Sequence, residues 1–189
     1  MNEYFGRQPT KNWSDGGIFE KVEALHPDLL MRKYIKKKRA CNSCIFQCSG
    51  YYLIEDGPYA GTTGEGFEWE ALGGYGVKLG NANMESTLVC KTLADKLGLD
   101  VISSSEVIAW AMECYNKGLL TEKDTDDLDL TWGNHEAIIA SMKKLAYKDG
   151  QFGELLALGS RKAAEKVGKG AEQYSMTIKA QQMGCGDPR

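Results

Sequence analysis

The sequence predicts an all-α fold, a mainly helical domain with an irregular, glycine-rich loop region that contains cysteines. Apolar residues recur at helical spacing through the second half of the chain, and glycine stands where those patterns stop. The segment 41–81 is instead crowded with glycines and aromatic residues. With 189 residues, of which 42% are hydrophobic, the chain is long enough to build a globular core.

The first eighty residues predict only short elements. One helix is expected over Ile18–Leu25 and another over Pro27–Lys38, because proline suits the first turn of a helix. The segment Cys41–Asn81 is expected to be irregular, with at most short strands. Its closely spaced glycines permit unusual backbone angles around a ligand; they are Gly57, Gly61, Gly64 and Gly66.

The longest helices are predicted after residue 82. Asn83 is a good N-cap for the first, and Gly98 a good stop. The second begins near Ser104 or Ser105, and Gly150 closes the third. The three helices are Asn83–Leu97, Ser105–Lys117 and Asn134–Lys148. Two short helices, over 151–158 and 160–167, and an extended end from about 174 complete the chain. The apolar stripes of these helices are best explained as core-packing faces.

Charge and hydropathy exclude several classes of protein. A formal net charge of −3 and a pI near 5.5 argue against a general nucleic-acid binder. No apolar run approaches the roughly 20 residues that span a bilayer, and the first residues lack the pattern of a signal peptide. We therefore expect a soluble, cytoplasmic chain with no nucleic-acid and no membrane partner.

Three of the six cysteines lie within eight residues, at Cys41, Cys44 and Cys48. Thiolates at this spacing can face one iron–sulfur cluster, which usually needs four such ligands. Zinc is the competing metal, but no second cysteine or histidine pair follows. Disulfides are less favoured in a reducing compartment, and three buried packing cysteines would have no reason to cluster.

No fourth thiolate ligand is evident in the chain. Cys90 and Cys114 fall among the apolar residues of predicted helices and are interpreted as small core residues. Cys185 lies in the glycine-rich end of the chain and is conceivable but remote. The sequence therefore indicates a ligand supplied from outside this segment.

Two groups of carboxylates are candidate functional residues. Glu68 and Glu70 flank Trp69, where they can serve acid–base chemistry or be solvated loop charges. Asp95 and Asp100 surround a predicted helix end, and there they either accept hydrogen bonds from a ligand rich in N–H groups or belong to an ordinary helix terminus.

Taken together and in this order, these patterns resemble the tungsten-containing aldehyde ferredoxin oxidoreductase family. That family has a CxxCxxxC run, an E-G-P-E-Y-E stretch, a DxxGLD motif and then I-S-T-G. The counterparts here are Cys41–Cys48, Glu65–Glu70, Asp95–Asp100 and Ile102–Ser105. The resemblance runs from Pro9 to the end, and includes Lys117–Leu119, Phe152–Ala157 and Asp187–Arg189.

The resemblance implies the cofactors and the site residues. The three cysteines would bind a [4Fe-4S] cluster, completed by a cysteine from a later D-x-x-G-L-C motif. Glu70 would sit beside the metal of a tungsten (or molybdenum) bis-pterin, with Glu68 as the other glutamate of the pair. The DxxGLD residues Asp95, Gly98, Leu99 and Asp100 would contact the pterin. Asp95 and Asp100 would accept hydrogen bonds from its N–H groups.

The resemblance also implies a parent enzyme that oxidises aldehydes to carboxylic acids and passes electrons to ferredoxin. Residues 1–189 would form a single helical domain, equivalent to a middle domain of the family. The N-terminal pterin-binding domain, the last domain and the active-site histidine would come from missing domains of the same polypeptide or from a companion subunit. His26 and His135 do not match that histidine, and His135 is expected at the surface or as a helix cap.

Departures from the family pattern leave other functions open. Phe67, Trp69 and Ser105 replace proline, tyrosine and glycine, and Ile45 replaces a common proline, so no aldehyde preference follows. The basic run 36–39 is either a ferredoxin-docking surface or, more simply, a solvated helix end. The alternatives are a non-enzymatic iron–sulfur or zinc-binding module and an inert truncated fragment.

Overall fold

Helices dominate the structure, a computed structural model that describes residues 8–15 and 19–186. Helices of all types, including 3-10 and π-helical turns, account for 51% of the described residues and strands for 10%. The helices are α1 (Pro27–Leu29), α2 (Trp69–Tyr75), α3 (Met84–Leu97), α4 (Val101–Asn116), α5 (His135–Tyr147), α6 (Gly150–Leu156) and α7 (Gly159–Val167). The strands are β1 (Ile35–Arg39), β2 (Ser49–Leu53), β3 (Thr63–Glu65), β4 (Thr177–Ile178) and β5 (Gln181–Gln182). The fold is therefore mainly helical but not all-α.

The first sheet overturns the helix predicted over Pro27–Lys38. Only α1 and a following π-helical turn, Leu30–Tyr34, are helical, and the lysine-rich run after it is strand β1. β1 pairs antiparallel with β2, which pairs antiparallel with β3. Backbone pairing with distant residues here overrides the local preference of lysine for helix. The exposed lysines of β1 also discourage pairing of this edge with other chains.

Three further sequence predictions are corrected. The segment 41–81 has the expected short strands, but it also contains α2. The end of the chain is a short hairpin, β4–β5, rather than merely extended. Of the helix predicted over Ile18–Leu25, the described residues form only a 3-10 helix over Val22–Leu25. Ile18 and the motif Asp187–Arg189 lie outside the described residues.

The helices after residue 82 follow the sequence prediction closely, with two shifts at their ends. Asn83 caps α3 and Gly98 ends it with φ +67°. α4 begins at Val101 instead of Ser104, because the side chain of Asp100 accepts the Ser103 N–H. Gly150 opens α6 rather than closing α5.

The main core surrounds α4, whose residues from Ser104 to Cys114 are all buried. Trp110 is fully buried there, and its indole N–H donates to the Ala171 carbonyl at 3.1 Å. Cys90 and Cys114 are fully buried in the same core, which confirms their interpretation as packing residues. A second apolar cluster joins the first sheet to α2 and α3, and Tyr52 is its fully buried centre. No described helix is long and apolar enough to cross a membrane.

Two adjacent glycines allow α2 to approach α4 closely. A Cβ atom on Gly74 would lie 2.7 Å from Ser105 Oγ on α4, and one on Gly73 would lie 2.9 Å from Cys185 Cβ. Beside them, the hydroxyls of Tyr75 and Ser104 are hydrogen bonded at 2.6 Å. Ser105, which stands where the family has glycine, therefore faces a glycine on the opposite helix.

Replacing Gly74 with alanine should destabilise the protein by roughly 1–3 kcal/mol, because the new methyl group meets Ser105 in a packed interface. This is expected although alanine is the better helix former. The double variant Gly74→Ala/Ser105→Gly should recover most of the loss. Urea unfolding measures both, with Gly186→Ala as control because its Cβ would meet nothing within 4 Å. A single variant no less stable than the control would contradict the packing.

Candidate active site

The first sheet brings the cysteine loop and the start of the segment that leads to the two glutamates to the same end. Arg39, at the end of β1, pairs with Ser49, at the start of β2. The loop 40–48 that joins them contains all three clustered cysteines. Tyr51 on β2 pairs with Glu65, at the end of β3. The Gly66 N–H then donates to the Gly50 carbonyl at 3.2 Å. The segment leading to Glu68 and Glu70 therefore leaves the sheet beside this loop.

Charged and aromatic side chains stabilise this end of the sheet. Arg39 forms an ion pair with Glu65 across β2, and its guanidinium lies 5.4 Å from the centroid of the Tyr51 ring. The lysines before Arg39 are largely exposed. The basic run is thus a solvated strand, not the solvated helix end that the sequence suggested.

The cysteine loop presents its thiols to solvent rather than to the core. Cys41 and Cys48 are exposed and Cys44 is partly buried. The Cys44 N–H donates to the Cys41 carbonyl at 3.0 Å and closes a turn between the first two cysteines. Within the described residues, no three His, Cys, Asp or Glu side chains are arranged to hold a metal ion. The loop therefore has the right donors for an iron–sulfur cluster, but they do not converge.

Glu70 is the better placed of the two glutamates. It lies in the first turn of α2 and is partly buried, whereas Glu68 is the exposed N-cap residue. The Cys185 N–H donates to Glu70 Oε2 at 3.1 Å. A carboxylate held by a backbone donor has a defined orientation, so Glu70 points in one direction while Glu68 is free to move.

Cys185, which the sequence leaves as a conceivable but remote fourth cluster ligand, is buried beside Glu70. Its side chain is 1% exposed, and Sγ lies 3.8 Å from the Glu70 carbonyl oxygen. Burial raises the pKa of this thiol to about 12, so it stays neutral at physiological pH. Sequence reasoning missed the contact; the adjacent residues Gly73 and Gly74 are the signal that could have pointed to a close approach here.

Asp95 and Asp100 both have partners in the protein. Asp95 forms an ion pair with Lys91 at 2.6 Å on the surface of α3. Asp100 Oδ1 accepts the Ser103 N–H at 2.7 Å and caps α4. Gly98 supplies the left-handed turn between the two helices. Both carboxylates remain exposed. Both oxygens of Asp95 accept from Lys91 Nζ, whereas Oδ2 of Asp100 has no hydrogen-bond partner among the described residues.

Leu99, the apolar residue of this turn, anchors it to the protein. It is partly buried and packs against the main core. The turn is thus held by one apolar contact, while its carboxylates stay in solvent. This arrangement presents Asp95 and Asp100 on a fixed backbone.

The C-terminal segment joins this turn to Glu70. A Cβ atom on Gly184 would lie 3.8 Å from Ile102 Cδ1 and 3.9 Å from both carboxylate oxygens of Glu70. The Ser103 hydroxyl donates to Gln182 Oε1 at 3.3 Å. Glu70, the start of α4 and the segment before Cys185 therefore form one continuous site. The cysteine loop lies at the adjoining end of the sheet.

His135 begins α5 as expected, but it does more than cover the surface. Its Nδ1 lies 2.8 Å from the Tyr59 hydroxyl, and Asn134 is the residue that caps the helix. This contact ties the loop before β3 to α5.

An exposed cysteine loop, an oriented carboxylate and a capped turn lie on one helical scaffold. The sequence matches the family described as aldehyde ferredoxin oxidoreductase, domains 2 and 3, over residues 1–189. It is 32% identical to the tungsten-containing aldehyde ferredoxin oxidoreductases of Thermococcus kodakarensis and Pyrococcus furiosus over 185 residues, 97% of this chain. The chain belongs to the aldehyde ferredoxin oxidoreductase family.

Other relatives extend the comparison. The chain is 29% identical to a Pyrococcus furiosus protein named aliphatic sulfonate oxidoreductase, WOR-like subunit, over 94% of its length. A solved structure of the active-site complex BamBC of benzoyl-coenzyme A reductase with 1,5-dienoyl-CoA matches 80% of this chain and 22% of its own, with a TM-score of 0.68 and 27% identity. The chain spans only 29% of the length of the Thermococcus kodakarensis relative.

The capping role of Asp100 can be separated from any ligand role. Asp100→Ala should lower the free energy of unfolding by about 1 kcal/mol, because α4 loses its N-cap, while Asp100→Asn should change it little. Asp95→Ala is the control and should cost at most about 0.5 kcal/mol, as an exposed ion pair does. Chemical denaturation without added metal gives all three values. A larger loss for Asp95→Ala than for Asp100→Ala would contradict the assignment.

Proposed function

We propose that this chain is part of a tungsten- or molybdenum-pterin oxidoreductase that oxidises aldehydes to carboxylic acids. Electrons would leave through a [4Fe-4S] cluster to ferredoxin. The observation that carries the proposal is the orientation of Glu70 at the junction of α2, α4 and the C-terminal segment. The matches to named aldehyde ferredoxin oxidoreductases along the whole chain support the reaction type.

The chain would supply three thiolates and one set of pterin contacts. Cys41, Cys44 and Cys48 are donors of the soft, anionic type that iron–sulfur clusters require. Asp95 and Asp100 would accept hydrogen bonds from pterin N–H groups on the backbone frame set by Gly98 and Leu99. The tungsten–pterin group, when bound, supplies the two-electron redox chemistry.

Glu70 would hold the proton that leaves the substrate as the aldehyde is oxidised. A carboxylate acts as a general base only when it lies within hydrogen-bonding reach of the proton it takes. Since the Cys185 N–H occupies Oε2, the other oxygen, Oε1, remains to accept it. Glu68 is exposed and less constrained, so its role would be secondary, in exchanging that proton with solvent.

The rest of the site would come from outside the described residues. A fourth cluster ligand and the second face of the pterin site would be provided by other domains of the polypeptide or by a companion subunit. We therefore expect the 189-residue chain by itself to lack aldehyde-dependent reduction of viologen dyes. Robust dye reduction by the purified chain would contradict the proposal that the active site needs groups from other domains or a companion subunit.

A second candidate is a non-enzymatic iron–sulfur or zinc-binding module. It is favoured by one observation, that the three thiols lie on an exposed loop apart from any closed cage among the described residues. Metal analysis of the anaerobically purified complete protein, with the remaining domains or companion subunit present, distinguishes the candidates. Iron and sulfide with tungsten support the enzyme, whereas zinc alone supports the module and iron without tungsten leaves only a cluster-binding role.

Iron uptake tests the cysteine assignment. Anaerobic reconstitution of Cys44→Ser with iron and sulfide should yield no stable cluster, because only two thiolates of the loop remain. The control is Cys90→Ser, which should take up iron normally but lose stability by roughly 1 kcal/mol or more, since it changes a core residue. Normal iron uptake by Cys44→Ser would show that the loop is not the cluster site.

Glu70→Gln tests the proposed base in the complete enzyme. With aldehyde and a viologen acceptor, kcat should fall by about 10²–10⁴-fold, because the amide cannot take up the proton. Tungsten and iron contents should match those of the unmodified enzyme. Glu68→Gln is the matched control and should lose much less activity. Equal losses for the two variants would argue against a distinct role for Glu70.

A further inference from the structure

Two fully buried charged residues have no part in the site described so far. Lys78 follows α2 and Glu106 lies on α4, and both are 0% exposed. A buried charge is costly unless other groups satisfy it. Burial raises the pKa of Glu106 to about 7, and the nearby positive charge of Lys78 opposes that rise. Each of these side chains therefore needs hydrogen-bonding partners inside the core.

Both side chains bind the C-terminal hairpin, and they do so at the same pair of residues. The Lys78 ammonium donates to the Met183 carbonyl at 3.0 Å. Glu106 Oε1 accepts the Met176 N–H at 3.2 Å. Met183 and Met176 are themselves joined, since the Met183 N–H donates to the Met176 carbonyl at 3.0 Å.

The two charges take the place of a regular ladder hydrogen bond. Thr177 pairs with Gln182, so Met176 and Met183 are the next opposed pair along the hairpin. In an antiparallel ladder, pairs that exchange two N–H···O bonds alternate with pairs that exchange none. The bond from the Met183 N–H to the Met176 carbonyl shows that this pair is of the hydrogen-bonded kind. Here only the bond from the Met183 N–H remains. The Met176 N–H donates to Glu106 instead, and the Met183 carbonyl accepts from Lys78 instead. The hairpin is therefore tied to the core at one fixed register.

The turn of the hairpin contributes little stability of its own. Its central residues, Lys179 and Ala180, have φ values of 51° and 66°. Two-residue turns with two positive φ angles favour Asn-Gly, and neither lysine nor alanine is suited to them. An isolated two-stranded hairpin is at best marginally stable. This hairpin must therefore be held by its contacts with the rest of the protein.

Two residues beyond this anchor, the chain reaches Glu70. Met183 is followed by Gly184, which packs between Ile102 and the Glu70 carboxylate, and then by Cys185, whose N–H donates to Glu70 Oε2. Movement of the hairpin would therefore move the donor that orients Glu70.

We propose that Lys78 and Glu106 are positioning residues, which anchor the β4–β5 hairpin at Met176 and Met183 and thereby orient Glu70 through the Cys185 N–H. Neither residue touches a substrate or cofactor. The catalytic consequence rests on the proposed function of Glu70, but the anchoring itself does not.

The anchoring is tested by the reactivity of the Cys185 thiol in the metal-free chain. The double variant Lys78→Met/Glu106→Leu removes both anchors without leaving an unpaired buried charge. Its Cys185 should react with N-ethylmaleimide at least about tenfold faster than in the unmodified chain, because local opening exposes it. Peptide mass mapping follows each cysteine separately. Buried Cys90 and Cys114 should stay protected, and they report on unfolding of the core.

A matched control is Glu113→Gln, because Glu113 is also a buried carboxylate of α4 but is bonded to Asn12 instead of the hairpin. It should leave Cys185 protected. The link to Glu70 is tested by Glu70→Leu, which removes the acceptor and should raise the Cys185 rate about threefold or more, while Glu68→Leu should not.

Each outcome decides one part of the proposal. Unchanged protection of Cys185 in the double variant would overturn the anchoring, and unchanged protection in Glu70→Leu would overturn the link to Glu70. If Cys90 and Cys114 also become reactive, the core of the variant has opened and the alkylation rate no longer tests the anchoring. Hydrogen exchange of the unmodified chain then decides, since the proposal requires the amides of the segment 176–185 to exchange more slowly than those of an unstructured segment. Alkylation needs no metal and no turnover, so a failure of the aldehyde-oxidation proposal would not affect this result.

Discussion

The close approach of α2 to α4 at Gly73 and Gly74 is the constraint on which the site depends. Without side chains at these positions, Ser105 and Cys185 can occupy the space against the helix. Glu70 lies one turn earlier on α2, so the same contact places its carboxylate beside the start of α4 and the C-terminal segment. A wider separation of the two helices would remove the Cys185 N–H from its acceptor. The same helix contact therefore determines both the packing of α2 and the position of the Glu70 carboxylate.

Several residues that the proposal assigns to ligand binding also stabilise the fold. Asp100 caps α4 with one oxygen and leaves another in solvent, while Gly98 turns the chain between the helices. This dual use explains why the DxxGLD motif can be a rigid platform although it lies at a helix junction. The cysteine loop differs, because Cys41 and Cys48 are exposed and Cys44 is only partly buried. Its geometry would be completed only by a bound cluster and the remainder of the enzyme.

Local sequence information predicted the helices after residue 82, because Asn83, Gly98 and Asn134 are strong capping signals and the apolar spacing is regular. It also identified the residues of the cysteine and DxxGLD motifs as candidate ligand-binding residues. It failed where long-range pairing decides structure, as in the lysine-rich strand Ile35–Arg39 and the glycine-containing helix α2. The position of Cys185 beside Glu70 was also beyond it, since 115 residues separate the two along the chain.

The central claim is that the cysteine loop and the Glu70 segment belong to one site built on the same end of the first sheet. Amide hydrogen exchange of the chain, measured anaerobically before and after addition of iron and sulfide, tests it most directly. We expect cluster formation to slow exchange in the loop 40–48 and also in the neighbouring segment 66–70, with no change in α5–α7. Slowed exchange in the loop alone, or an equal change along the whole chain, would contradict a shared site.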